Sequence, residues 1–143
     1  MTIQQVTKET FPQAQAVYRQ SWKESHKEVC SAQFLESRDY ADYLARQTGL
    51  YLVCDSECVG VFQLVESTLS DLYIHPLYQG MGYGRVCVEY AVARGGRRLT
   101  VLSTNTKAIR LYEKMGFRFT GRDVCLKPEL WEREMEYTEI ENG

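Results

Sequence analysis

The chain has 143 residues, of which 44% are hydrophobic and 25% charged, an ordinary folded-protein composition that excludes collagen-like and intrinsically disordered classes. Seventeen basic residues against nineteen acidic ones leave a formal charge of -2, which argues against nucleic acid or an anionic membrane as the main partner. At 16.6 kDa, area scaling gives roughly 24,000 Å² exposed unfolded and roughly 7,600 Å² folded, so a sizeable core and one domain spanning residues 1–143 are expected.

A short strand is expected at Ile3–Val6. Thr10-Phe11-Pro12-Gln13 reads as a capping box with proline in the first turn, and the face Phe11, Ala14, Tyr18, Trp22 carries a helix to about Ser25. A second helical region runs from Ala32 to Gln47 in two pieces, broken near Ser37 and stopped by Gly49. Leu50–Cys54 and Cys58–Val65 are β-branched and aromatic runs around Asp55-Ser56-Glu57, a hairpin signature. Thr68–His75 makes a third strand ended by Pro76. From Gly84 to Arg94 the period becomes helical, with Tyr83, Val86, Cys87, Tyr90 and Ala91 on one face and Gly95-Gly96 as the stop. Arg98–Leu102 is a strand, and Thr104–Met115 a helix with Ala108, Leu111, Tyr112 and Met115 on one face and Gly116 as its left-handed cap. Phe117–Val124 and Trp131–Ile140 alternate as a half-buried antiparallel pair. The order is α+β: a mixed, mostly antiparallel sheet of about seven strands, one parallel crossover through Thr68–Leu102, and helices on both faces.

Targeting and metal signals are weak. Residues 1–6 lack the basic and apolar regions of a secretory signal, and the longest apolar stretch, Val59 to Val65, is interrupted by Gln63 and too short to span a bilayer. Five cysteines (Cys30, Cys54, Cys58, Cys87, Cys125) without CxxC spacing point to reduced thiols in a cytoplasm, and His26 and His75 are too few for a histidine-rich metal centre, so no metal is expected.

The chemistry concentrates in Leu72 to Arg85: a strand, a glycine-rich turn and the start of an amphipathic helix. Gly80, Gly82 and Gly84 allow the turn to present backbone N–H groups, and the helix N-terminus adds positive potential suited to phosphate. Arg85 in a first helical turn opposes the helix dipole unless an anion sits there. A Walker A loop and a dinucleotide fingerprint both fail on Arg85, and a bare helix entry without ligand accounts for the glycines as well.

Gln79-Gly80-Met81-Gly82-Tyr83-Gly84 resembles the Q/R-x-x-G-x-G/A loop of the GNAT superfamily of acyl-CoA-dependent N-acetyltransferases. Leu72-Tyr73-Ile74-His75-Pro76 is similar to that family's central strand. Asn105, Ala108, Tyr112, Gly116 and Phe117 match its second signature, N-x-x-A-x-x-x-Y-x-x-x-G-F. The resemblance covers nearly the whole chain and implies the GNAT fold, whose central parallel strands splay apart, here Thr68–His75 and Arg98–Leu102. It implies acetyl-CoA as co-substrate, with the N–H groups from Gly80 to Arg85 on the pyrophosphate, Leu72, Tyr73 and Ile74 pairing with the pantetheine arm, and Asn105 and Ala108 beside it. Tyr112 matches the tyrosine that protonates the departing thiolate. It also lies on an apolar helix face, and Asn105 reads equally as a plain N-cap. Homodimers are common among members, which suggests one here.

The acceptor is expected to be a primary amine of a small molecule or protein. The general base stays open among Glu66, Asp71, Asp123 and a water chain, because Thr68 stands where many members place a glutamate. The aromatic residues Tyr18, Trp22, Tyr40, Tyr43, Trp131 and Tyr137 read either as acceptor-binding rings or as core. The row Glu132, Glu134, Glu136 reads as an amine attractor or a solvated edge, and His75 as a turn residue. A non-catalytic acyl-CoA sensor or interaction module on the same fold remains the alternative reading.

Overall fold

The structure, a computed structural model, describes residues 1–138; positions 139 and 140 of the expected last strand lie outside the described residues. In chain order the elements are β1 (Thr2–Gln5), α1 (Phe11–His26), α2 (Ala32–Ser37), α3 (Tyr40–Ala45), β2 (Leu50–Asp55), β3 (Glu57–Val65), β4 (Thr68–Ile74), a 3-10 turn at Pro76–Tyr78, α4 (Tyr83–Ala93), β5 (Arg98–Leu102), α5 (Thr106–Lys114), β6 (Phe117–Lys127) and β7 (Leu130–Tyr137). The strands form one sheet in the order β1-β2-β3-β4-β5-β7-β6. The pairs β1–β2, β2–β3, β5–β7 and β6–β7 are antiparallel, and β4–β5 is parallel through Thr68↔Arg98 and Leu69↔Leu99.

Two compact units are distinguished, one formed by Met1–Gln63 with Asp71–Gly84, the other by Leu64–Ser70 with the chain from Arg85 onward. In the first, Ala14, Val17 and Tyr18 of α1 pack with Leu44, Leu50, Leu52 and Val61. Gly60 on β3 is required there: a Cβ would stand 2.7 Å from Ile74 Cδ1 and 3.1 Å from the Tyr73 carbonyl oxygen. In the second unit Leu69, Cys87, Val88, Ala91, Leu99, Tyr112, Phe117 and Met135 are buried. Gly96 ends α4 at close quarters, its N–H donating to the Ala91 carbonyl at 2.8 Å. A Cβ at Gly96 would meet that oxygen at 2.8 Å.

Three expectations are corrected. Thr10 does not form the capping box: its side chain makes no cap bond to α1, and its hydroxyl instead accepts from the Thr7 N–H at 2.8 Å. The Glu132, Glu134, Glu136 row is not on an edge, because β7 lies between β5 and β6, and β1 and β6 hold the edges. β6 runs on to Lys127 beyond the expected Val124. Its far end carries exposed Val124 and Leu126, so the alternation that marks a half-buried strand is lost there.

Candidate active site

β4 changes character halfway. Asp71 holds φ 50° inside the strand, a left-handed conformation that few non-glycine residues adopt and aspartate adopts more readily than most. Its carboxylate accepts a hydrogen bond from Tyr43 Oη at 2.8 Å, so α3 fixes the side chain. Leu72, Tyr73 and Ile74 follow, all half-buried. The His75 N–H donates to the Val59 carbonyl at 2.7 Å, and its Nδ1 accepts from the Leu77 N–H at 3.2 Å. That is the turn role read from sequence.

The glycine loop is tethered at both ends. Gln79 Nε2 donates to the Ile74 carbonyl at 3.0 Å. Tyr78 Oη donates to Glu57, and Tyr83 Oη, in the first residue of α4, donates to Asp55 Oδ2 at 2.8 Å. Both carboxylates belong to the β2–β3 turn. Between the tethers Gly80 takes φ 80° and Gly82 φ 88°, and a Cβ built on either meets nothing within 4 Å. These glycines are therefore set by backbone conformation, with open space beside them. Met81 between them is 64% exposed. Arg85 Nε donates to Glu89 Oε1 at 3.0 Å, an exposed pair one helical turn apart that partly offsets the cation's conflict with the helix N-terminus.

In the other unit, Asn105 is the N-cap of α5, its Oδ1 accepting from the Ala108 N–H at 3.3 Å. Both Asn105 and Ala108 are half-buried. Tyr112 is only 7% exposed and meets Phe117 edge-on with ring centroids 6.1 Å apart. Burial, helped by the nearby Cys87, pushes its phenol well above the ordinary tyrosine range, so Tyr112 carries its proton at every physiological pH.

The three candidate bases differ in setting. Glu66 is exposed at φ 54°. Asp123 is held by Arg133 Nε at 3.4 Å. Asp71 alone of the three combines half-burial with a kinked strand and a tyrosine hydrogen bond. The Glu134 carboxylate accepts from Arg122 Nε at 2.7 Å and Thr120 Oγ1 at 3.0 Å, and Arg122 also lies 3.7 Å from Glu136; these bonds hold Glu134 below the usual carboxylate range. Two of the three carboxylates of the acidic row thus share Arg122.

One residue escaped sequence reasoning. Arg38, in the link between α2 and α3, places its guanidinium over Tyr18, Trp22, Tyr40 and Tyr43, 4.2 Å from the Trp22 centroid, and donates to Tyr18 Oη at 3.0 Å. Four of the six rings read as acceptor-binding candidates already hold the chain's own cation. An arginine between two short tyrosine-bearing helices was the signal that could have found it.

The acetyltransferase (GNAT) family profile matches residues 11–117, and the chain belongs to that family. It is an N-acetyltransferase that uses acetyl-CoA. A peptidyl-lysine N-acetyltransferase, YjaB of Salmonella typhimurium, is 33% identical over 110 residues, covering 75% of this chain and 76% of the relative. Among solved structures, apo YjaB from Escherichia coli superposes with a TM-score of 0.77 at 22% identity, covering 97% of this chain and 98% of that one. The PaiA N-acetyltransferase of Thermoplasma acidophilum, solved with coenzyme A, gives 0.70 at 20% identity over 96% and 98%.

Proposed function

We propose that the chain, working as a single catalytic domain in the cytoplasm and as a homodimer like other members, acetylates the side-chain amine of lysine in a protein. The tethered turn carries this reading: two left-handed glycines with open space beside them form a cup for a diphosphate. The acceptor class is supported by the peptidyl-lysine specificity in the name of the 33% identical relative.

Acetyl-CoA supplies an acetyl group activated as a thioester. The N–H groups of Gly80 to Arg85 hold its pyrophosphate, aided by the N-terminus of α4, while Gln79, Met81 and Tyr83 shape the loop. Leu72, Tyr73 and Ile74 offer backbone groups to the pantetheine, and Asn105 and Ala108 flank it. A lysine at pH 7 must first lose a proton, at a cost of about 4.6 kcal/mol from its reference pKa near 10.4. Asp71 takes that proton, held ready by Tyr43. Tyr112 Oη holds the proton that the departing thiol needs.

Release of free thiol from acetyl-CoA, followed over lysine peptides, polyamines, aminoglycosides and amino acids, tests this. Saturable release with lysine peptides is expected. Turnover confined to a small-molecule amine would overturn the acceptor class, and calorimetry without heat on adding acetyl-CoA would overturn the loop assignment.

A further inference from the structure

The hairpin that tethers the glycine loop carries a cysteine at each shoulder. Cys54 on β2 and Cys58 on β3 are direct partners in the antiparallel register, with a register shift between Val53 and Cys54. Their sulfurs lie 2.9 Å apart, the Cys54 thiol donating to Cys58 Sγ. Both are half-buried free thiols packed at the margin of the α1 core. The three residues between them are Asp55, Ser56 and Glu57; Ser56 makes the turn at φ 61°, and the two carboxylates accept from Tyr83 and Tyr78.

We propose that Cys54 and Cys58 are an oxidation site at which a small-molecule disulfide such as glutathione disulfide closes the hairpin with a cross-strand disulfide bond. Facing positions on neighbouring antiparallel strands bring side chains to the separation a disulfide needs, and sulfurs 2.9 Å apart have about one ångström left to travel to bond length. The step is ordinary exchange. The Cys58 thiolate attacks one sulfur of glutathione disulfide, forming a mixed disulfide and expelling one glutathione thiolate. Cys54 then gives its proton to solvent and attacks Cys58 Sγ, expelling the second. Two protein thiols are oxidised, one disulfide is reduced, and the two released thiolates take up the two protons. The order of attack follows from surroundings: burial and the adjoining Cys58 push the Cys54 thiol up to about 12, which makes it the slower nucleophile and suits it to the second, intramolecular attack.

The consequence reaches the loop. Closing the hairpin stiffens the turn that holds Tyr78 and Tyr83, so the glycine segment between them loses freedom. This inference does not depend on what the loop binds.

The test incubates the full chain with glutathione disulfide, blocks remaining thiols by alkylation and digests without reductant. Cys54 and Cys58 share one tryptic peptide, residues 47–85. That peptide should be lighter by two hydrogen atoms, refuse alkylation, and, after cleavage at Glu57 and Glu66, keep residues 47–57 and 58–66 joined until reductant is added. Cys54→Ser should accumulate a stable glutathione adduct on Cys58, whereas Cys58→Ser should leave Cys54 alkylatable. Amide hydrogen exchange over residues 75–84 should slow about threefold on oxidation, and the slowing should vanish in Cys54→Ser. Cys54 and Cys58 remaining free thiols where exposed Cys125 is already modified, or each carrying its own glutathione, would overturn the site. Unchanged exchange in the crosslinked protein would overturn the coupling to the loop.

Discussion

At the scale of single residues, Tyr112 and Gly80 separate chemistry from binding. Tyr112 sits buried against Phe117, so its phenol has a packing role that phenylalanine preserves and a proton that phenylalanine lacks. Tyr112→Phe should lower kcat by about tenfold or more while leaving KM for acetyl-CoA nearly unchanged; an unchanged kcat removes the tyrosine from the mechanism. Gly80 tests the loop differently. A methyl group there meets no atom, so Gly80→Ala acts through its φ of 80° alone, a strain of about 1 kcal/mol or slightly more. Affinity for coenzyme A by calorimetry should fall by roughly fivefold to tenfold with the melting temperature little changed, because the loop relaxes where nothing packs on it.

At the scale of elements, α5 shows how one side chain serves two readings. Asn105 caps the helix through the Ala108 N–H, and losing such a cap costs about 1 kcal/mol. Asn105→Ala should therefore lower the melting temperature, and Asn105→Asp, which keeps an acceptor oxygen at the N-cap, should restore it. Restored stability with coenzyme A affinity still impaired would show a second role at the cofactor. Periodicity made α1, α4, α5 and the strands legible, because a helix face or strand alternation is written over a few consecutive residues. The glycine turn and the place of Tyr112 on a buried helix face were legible as well, the first from its glycine spacing and the second from the helical period, whereas the roles expected of both came from the family resemblance. Arg38 among four rings, the Cys54–Cys58 facing pair and the interior place of β7 were not, since each depends on partners distant in sequence or on a register that only the folded sheet sets. Thr10 failed in the opposite way: the local motif was present, but Thr7 offered its hydroxyl a nearer partner. The kink at Asp71 left no local trace at all, as aspartate occurs freely on strand surfaces.

For the molecule as a whole, buried titratable groups set the pH range over which the fold holds. His26 stacks on Trp22 with ring centroids 3.7 Å apart, and burial lowers its pKa below the ordinary 6.5, with Arg38 adding repulsion. The unfolded chain therefore binds a proton at this histidine more readily than the folded one. Its contribution to stability is complete above about pH 6.5 and is lost as pH falls through the folded value. Tyr18 and Tyr112 act at the other end. Burial raises both phenols above their ordinary value of 10 and the Cys54 and Cys87 thiols above their ordinary 9, so the unfolded chain ionises first, and stability declines as pH climbs past about 9. Thermal melting across pH should thus show a plateau between about 6.5 and 9 with a fall on each side. His26→Phe keeps the stack on Trp22 without a titratable ring, and it should flatten the acid fall while leaving the alkaline one. Tyr112→Phe should soften the alkaline fall and spare the acid side. An acid limb as steep in His26→Phe as in the parent would assign it to the carboxylates instead, with Glu134, Glu36 and Glu9, all held below their ordinary range by hydrogen bonds, as the groups to replace next.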